Sequence, residues 1–406
     1  MRVLVIGGGA AGFFAAINCA SKYPNFQVDL FEKSRNLLSK VKVSGGGRCN
    51  LTHSCFEISR LVKHYPRGAK QLKKAFNSFM TTDTIEWFEN RGVKTKTEAD
   101  GRMFPTSDNS QTIINCLVGQ ARKYNVNIFT SCAVNQINPT FGNRNGFKVS
   151  TKERKDIFYD KIIIATGGSP KLSGFNWLKE LDHEIIDPVP SLFTFNMPKN
   201  PITKLMGLSV NDARVKIMSS KFSQEGPLLI THWGMSGPAV LKLSAWGARL
   251  LQEKQYQFSI QVSWVPDQND EQLQKVFADL KLQSPKKRIG NSNILKLPSR
   301  LWDFMLEKAQ IPVQKICGEL SKKDINRLIN LLTNDVYEVN GKTTFKEEFV
   351  TCGGVSLGEV DFKTMESRKC PGIHFAGEVL DIDGVTGGFN FQAAWTTGFI
   401  AGTSIA

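Results

Sequence analysis

An apolar run, Val3 to Ile6, ends directly in Gly7-Gly8-Gly9-Ala10-Ala11-Gly12, and the chain from Ala10 to Ala20 is apolar and rich in helix formers. A strand, a glycine turn and a helix in immediate succession leave few folds open. In a G-x-G-x-x-G turn the first glycine permits the tight bend, the second lets a phosphate reach the backbone, and the third lets helix and strand pack closely. Gly7, Gly9 and Gly12 take these places, with Ala10 and Ala11 opening the helix whose free N–H groups and dipole favour an anion. Gln27 to Phe31 reads as a second strand ending in Glu32, twenty residues beyond Gly12. A carboxylate there can accept hydrogen bonds from ribose hydroxyls. The same N-terminal run, with Arg2 ahead of it, has the outline of a signal peptide, but the glycine spacing favours strand, turn and helix.

Dinucleotide sites of the NAD and FAD kinds share this fingerprint, so later segments must separate them. Residues 161–168, KIIIATGG, read as a strand that delivers the chain back to the dinucleotide at Ala165, Thr166, Gly167 and Gly168. Far downstream, IHFAGEVLDIDGVTGG at 373–388 precedes FNFQAAWTTGFIAG. This reads as a strand from Ile373 to Ala376, an acidic turn, a glycine pair and a closing helix from about Asn390. Glu378 is then expected near a ribityl chain or pyrophosphate, and the helix start near the pyrimidine oxygen of a flavin, where its dipole stabilises negative charge. There is no second G-x-G-x-x-G of the kind that marks a dedicated nicotinamide domain, so either NADH or NADPH binds transiently against the flavin face as electron donor or the electrons come from the substrate itself.

The segment VKVSGGGRCNLT at 41–52 admits three readings: a second phosphate cradle, a loop holding a reactive thiol, or a flexible turn. Together with GGGAAG (7–12), ATGG (165–168), THWGMSGPAVL (231–241), TCGGVSLGEVDFKTMESR (351–368) and GEVLDIDGVTGGFNFQAAW (377–395), it resembles the BaiN-like or aminoacetone-oxidase-like family of bacterial flavoproteins. The resemblance implies an α/β fold, a discontinuous Rossmann-like FAD-binding domain interrupted by a β-barrel and a small helical subdomain. It agrees with α/β texture up to about 190 and again from about 346. Alternating strands such as Ala213 to Met218 and Gln257 to Trp264 fill about 191–265, and helical spacing at Asn269 to Leu280 and Lys323 to Leu332 fills about 266–332, with 333–345 returning to the barrel. The resemblance also places Gly45 to Asn50 against the flavin. Arg48 and Asn50 are expected at its pyrimidine edge or phosphates, with Lys40, Asp383 and Asn390 as further contacts. Lys33, Ser44, Gly46, Gly47, Val134, Gly377, Gly388 and Phe391 complete the expected FAD-binding set. Thr351 is expected only to order the chain's return.

Two residues are candidates for proton delivery. His232, one of five histidines, lies in a stretch that the family turns toward the flavin, and an imidazole with a pKa of about 6.5 can donate at neutral pH. Cys49 stands beside Arg48 in a loop rich in N–H groups, a setting that lowers a thiol's pKa. The bland alternatives are a structural histidine and a small apolar cysteine. The eight cysteines show no C-x-x-C and no metal spacing, which points to reduced thiols in a cytoplasmic protein and no metal site. No stretch of about 18 apolar residues marks a membrane span.

The formal charge of +15, from 52 Lys and Arg against 37 Asp and Glu, favours a polyanionic partner. The cations are clustered: Arg60, Lys63, Arg67, Lys70, Lys73 and Lys74 without an intervening acid; Lys286, Lys287, Arg288, Lys296 and Arg300; and Lys315, Lys322, Lys323 and Arg327. They suit either a solvated face or ribosomal RNA, with one base extruded into the pocket. Three functions follow. The first is an FAD-dependent reductase of an activated C=C bond, including uridine in ribosomal RNA, to which members of the resembling family have been linked. The others are an oxidase of a small aminoacetone-like substrate using oxygen, and a flavin-bearing RNA-binding protein.

Overall fold

The computed structural model describes residues 1–142, 145–153, 155–344 and 350–406. The chain divides into two compact units, Met1–Ser191 with Phe345–Ala406, and Leu192–Thr344. The return to the first domain expected at 346 falls at 345–349, outside the described residues.

In the first unit, parallel strands β1 (Arg2–Ile6), β2 (Gln27–Phe31), β3 (Asn127–Phe129), β4 (Lys161–Ile164) and β5 (Ile373–Phe375) lie in the order β3-β2-β1-β4-β5. Val360–Asp361 and Glu366–Ser367 extend the sheet beyond β5 as antiparallel strands. Parallel strands covered on both faces need continuous apolar runs rather than alternation. Accordingly Val3, Leu4 and Val5 of β1 and Ile162, Ile163 and Ile164 of β4 are wholly buried. The strand order reverses between β1 and β4, and sheets of this kind bind ligands at the carboxyl ends flanking such a reversal.

Helix α1 (Ala10–Lys22) follows the glycine turn, and helix α2 (Phe389–Thr403) closes the chain against it. Their approach is backbone to backbone. A Cβ on Gly398 would stand 2.7 Å from the carbonyl oxygen of Ala11, and one on Gly402 would stand 2.3 Å from that of Ala15. Phe14 of α1 then packs among Phe79, Trp87, Phe88 and Trp395. The outgoing strand Ile185–Ser191 pairs antiparallel with the returning strand Val350–Val355.

The second unit is an antiparallel sheet in the order Asp335–Asn340, Gln257–Ser263, Ser209–Ile217, Ser223–Ile230, Gly234–Ser236, Thr194–Asn196, Lys342–Thr343. Its ends meet at Gly341, whose N–H donates to Tyr256 and whose carbonyl accepts from Asn196. Helices Asp270–Gln283, Ser299–Lys308 and Lys322–Thr333 share one apolar core with the sheet through residues such as Val215, Val262, Phe277, Trp302 and Leu328. Ser299–Lys308, with buried Leu301, Trp302, Met305 and Leu306, is a helix that the spacing argument does not single out. The helix expected from Lys323 starts at Lys322 because Ser321 Oγ accepts the Asp324 N–H while the Asp324 carboxylate accepts the Ser321 N–H.

The substitution Gly402→Val should be destabilising by about 2–4 kcal/mol, because the side chain must displace the α1 backbone rather than a flexible tip. Urea unfolding followed by tryptophan fluorescence checks this, against Gly358→Ala, whose Cβ meets nothing within 4 Å, as the neutral control.

Candidate functional site

The glycine turn sets the site's geometry. A Cβ on Gly7 would lie 2.3 Å from the Ala165 carbonyl oxygen, and one on Gly12 would lie 1.9 Å from that of Gly7. Strand β1, helix α1 and the end of β4 are therefore in backbone contact. A Cβ on Gly9 meets nothing within 4 Å, and no side chain caps the helix that Gly9 precedes. The first-turn N–H groups of α1 thus face open space above the strand reversal, where an anion is stabilised.

Around this cradle the structure gathers most of the residues expected to hold a cofactor. Glu32 accepts from the N–H of Gly8 at 2.7 Å and of Ser34 at 2.8 Å, which aims the carboxylate and leaves lone pairs for further donors. Lys33 beside it is exposed. Val134 begins the strand Val134–Thr140, two residues after Cys132, whose N–H donates to Glu32. Gly377 lies against Ala11, where a Cβ would approach the Ala11 methyl to 2.8 Å. Gly168 sits against Thr351 and Glu378, while Gly167, at φ +74°, has open space at its Cβ position, and Thr166 is exposed. Glu378 accepts from the Thr351 N–H at 2.8 Å and from Lys40 Nζ at 2.6 Å.

The 39–50 segment is not a simple loop. Ser39–Gly47 starts as a helix, breaks at Ser44, and passes through left-handed backbone at Gly45, Gly46 and Gly47. A Cβ on Gly45 would meet the Phe104 ring at 2.8 Å, whereas Gly46 and Gly47 face open space. Ser44 closes the turn by accepting the Cys49 N–H on its carbonyl. Asn50 is oriented so that its amide donates to the Thr52 carbonyl and accepts from the Gly388 N–H at 2.9 Å. It thereby ties this segment to the start of α2, where Gly388 (φ +93°) precedes a helix with no side-chain cap. Phe391, half-buried, stacks on Trp395.

The lowered thiol expected at Cys49 is corrected, and three other expected site residues have partners within the protein. Cys49 is fully buried, and burial pushes its thiol up to about 12 despite a hydrogen bond with Ser44. It keeps its proton at neutral pH, the opposite of a lowered thiol. The guanidinium of Arg48 is already engaged: it donates to Glu98 at 2.6 Å and lies 4.0 Å above the Phe104 ring. Asp383, without solvent exposure, receives both Arg67 Nε and Nη2 and, at 2.7 Å, the Ser191 hydroxyl. Burial pushes this carboxyl up. For Arg67 burial pulls down, but the carboxylate overrides it and holds the guanidinium above its usual range. The fork geometry and a cation that does not deprotonate in proteins favour the ionised pair. Asn390 spends its amide on both backbone groups of Gly384. Asp383 and Asn390 therefore shape the turn before α2 rather than offer free side chains. His232 belongs to the second unit, exposed in the turn between Ser223–Ile230 and Gly234–Ser236, with its ring edge-on to Trp233.

Sequence reasoning missed three features. Thr351 is wholly buried, yet its Oγ1 has no hydrogen-bond partner among the described residues, although it flanks Gly168 and Glu378. The rings of His64 and His53 stack on Phe389 at 4.1 and 4.7 Å, and the Tyr65 hydroxyl donates to the Phe389 carbonyl. Residues 64–67 are thus part of the turn before α2. An uncapped helix over an open glycine, an aimed carboxylate and an orphaned buried hydroxyl fit the pyrophosphate, ribose and polyol of FAD. Among the described residues no three His, Cys, Asp or Glu side chains cluster as metal ligands, and no helix is long and apolar enough to cross a membrane. None of the eight cysteines is joined in a disulfide.

The HI0933-like protein Rossmann domain matches residues 1–404. The 3-dehydro-bile acid delta(4,6)-reductase of Clostridium scindens is 29% identical over 414 aligned residues, covering 100% of this chain and 99% of that protein. The ribosomal RNA dihydrouridine synthase of Escherichia coli is 29% identical, covering 97% of this chain and 95% of the synthase. Among solved structures, a 3-ketosteroid-delta4-(5alpha)-dehydrogenase from Rhodococcus jostii has the same fold, with a TM-score of 0.51 at 13% identity, covering 99% of this chain and 96% of that one.

Thr351→Val keeps the side chain's shape and deletes its hydroxyl. It should weaken FAD binding about tenfold, the worth of one buried hydrogen bond, while Thr351→Ser stays near the parent. Fluorimetric titration of the apoprotein with FAD gives both constants, and equal affinity for parent and Val variant would refute a ligand role for the hydroxyl.

Proposed function

The chain belongs to the HI0933-like Rossmann-domain family, and from that premise we propose that this FAD-dependent oxidoreductase saturates an activated carbon–carbon double bond, with uridine in RNA as its substrate. The names of the two relatives describe reactions of one kind, reduction of a double bond conjugated to a carbonyl. When bound, FAD supplies the hydride. The chain's own residues do the rest. The first-turn N–H groups of α1 hold the pyrophosphate, Glu32 accepts from ribose hydroxyls, and Thr351 with Glu378 orients the polyol. The uncapped N–H groups at the start of α2 stabilise negative charge on the pyrimidine ring. Cys49, which holds its proton in a closed environment, is not our choice for proton delivery.

One observation carries the RNA reading. The basic segment is anchored to the turn before α2 by the buried Arg67–Asp383 pair, by Tyr65 and by His64 on Phe389. Arg60, Lys63, Lys70, Lys73 and Lys74 are exposed beside those anchors. Cations so placed meet the phosphates flanking a nucleotide that enters the site, and such contacts act by releasing counterions. One arginine of the sequence cluster therefore builds the site while the others face solvent.

Nucleoside mass spectrometry of ribosomal RNA from a deletion strain should show a loss of dihydrouridine that the parent gene restores; unchanged content removes the RNA reading. In anaerobic mixing, uridine-containing RNA should reoxidise the reduced holoenzyme. If RNA leaves the flavin reduced while aminoacetone yields peroxide in air, the protein is an amine oxidase instead.

A further inference from the structure

Two basic stretches of the second unit that lie far apart in sequence form one surface. Ile289 N–H donates to the Lys315 carbonyl at 2.9 Å, Cys317 N–H to that of Lys287 at 2.8 Å and Gly318 N–H to that of Pro285 at 2.9 Å, and Arg288 is bridged antiparallel to Ile316. This two-stranded ribbon is fixed to the core from beneath. The Trp302 indole donates to the Ile289 carbonyl, the Cys317 thiol donates to Ser292 Oγ, and Ile289 and Cys317 are wholly buried. The ribbon runs on through Ser321 into the helix Lys322–Thr333, so Lys322 and Lys323 stand a few residues from the bridge. Lys286, Lys287, Arg288, Lys322 and Lys323 are exposed, and none joins an ion pair among the described residues. The acids in these stretches offset little: Asp324 is taken by Lys315 and Arg327, and Glu319 stands alone.

We propose that this ribbon and helix start form a docking surface for the phosphodiester backbone of folded RNA, a second contact besides segment 60–74. The proposal rests on the reading of RNA as substrate and deepens it. Five cations on a backbone held in place by hydrogen bonds present their charge to phosphates at fixed spacing, which suits recognition of backbone and shape. An anionic bilayer is the competing polyanion, since Leu282 and Val313 are exposed nearby. They are single side chains rather than the apolar face that membrane insertion needs.

The test compares the holoenzyme, a patch variant (Lys287→Gln, Lys322→Gln, Lys323→Gln) and a control variant (Lys216→Gln, Lys221→Gln, Lys254→Gln), whose lysines are exposed elsewhere on the same unit. Binding of a labelled ribosomal RNA transcript is measured by anisotropy across a salt series. The patch variant should bind at least tenfold more weakly, with the slope of log K against log salt reduced by about 2–3, as expected for three lost phosphate contacts. The control should follow the parent. Equal losses in both variants, no loss in the patch variant, or preference of the parent for phosphatidylglycerol vesicles over RNA each overturn the docking surface. Dihydrouridine content of RNA from strains carrying each variant is read in parallel. Unaltered RNA affinity with intact product sinks the surface alone, whereas absent product in every strain, parent included, sinks the substrate reading.

Discussion

Backbone contact at the glycine turn governs the placement of every other part of the first unit. With Gly12 against the Gly7 carbonyl and Gly7 against that of Ala165, helix α1 cannot stand off from the sheet by the width of even one methyl group. Its N-terminus is therefore held over the gap between β1 and β4. Because α1 is pinned, α2 must meet it through glycines as well, at Gly398 and Gly402, and the turn after β5 must reach Ala11 through Gly377. The contacts are steric and short, so they leave little room for gradual adjustment. Gly9, by contrast, is open: a Cβ there would meet nothing within 4 Å.

Three buried carboxylates are each surrounded by donors. Asp383 has Arg67 and Ser191; Asp29 accepts from Arg2, Tyr159, Asn127 and Gln27; Asp335 accepts from Trp264, Tyr337 and Lys308. Such clusters cost desolvation and recover it only when fully bonded, so losing one partner is far worse than never having had the pair. The same view disposes of a tempting arrangement in which Ser367 Oγ lies 3.2 Å from His183 Nε2 and Glu359 lies 2.9 Å from Nδ1. Order and spacing match a hydrolytic triad, but Ser367 and His183 are buried and the serine oxygen accepts the N–H groups of Lys369 and Cys370. It is a brace between segments.

The fold was legible in sequence because its determinants are local. Glycine spacing, two unbroken apolar strands and an acid at the end of β2 can be read without knowing any partner, and the strand bounds of β1, β2 and β5 fall within a residue of expectation. The character of individual side chains was not legible. Arg48 looks like a free cation until Glu98, fifty residues on, occupies it; Asp383 looks like a ligand until Arg67 and Ser191 reach it. Cys49 has the neighbours of a reactive thiol along the chain and the surroundings of a core residue in space. Thr351 is the converse, a residue whose sequence context marks a turn and whose buried, unsatisfied hydroxyl shows only in three dimensions. The basic clusters behaved alike: Arg67 left its cluster to build the site, while 286–288 and 315–323 merged through a backbone bridge that no spacing rule anticipates.

The strands Ile185–Ser191 and Val350–Val355 carry the chain out of the first unit and back, and they run side by side in hydrogen-bonded register. The points of departure and return are therefore separated by one strand spacing, about 4.8 Å. A segment grafted between neighbouring points on a sheet edge imposes almost no closure constraint on its host. The intervening unit can exchange its loops, its surface charge or its whole helical portion without disturbing the register of β1 to β5. The consequence is a division of constraint: the part that holds the glycine turn is fixed by sterics, and the part inserted between the paired strands is free of that constraint. Relatives of equal similarity to this chain, one named for a bile acid and one for ribosomal RNA, are what such an arrangement would produce.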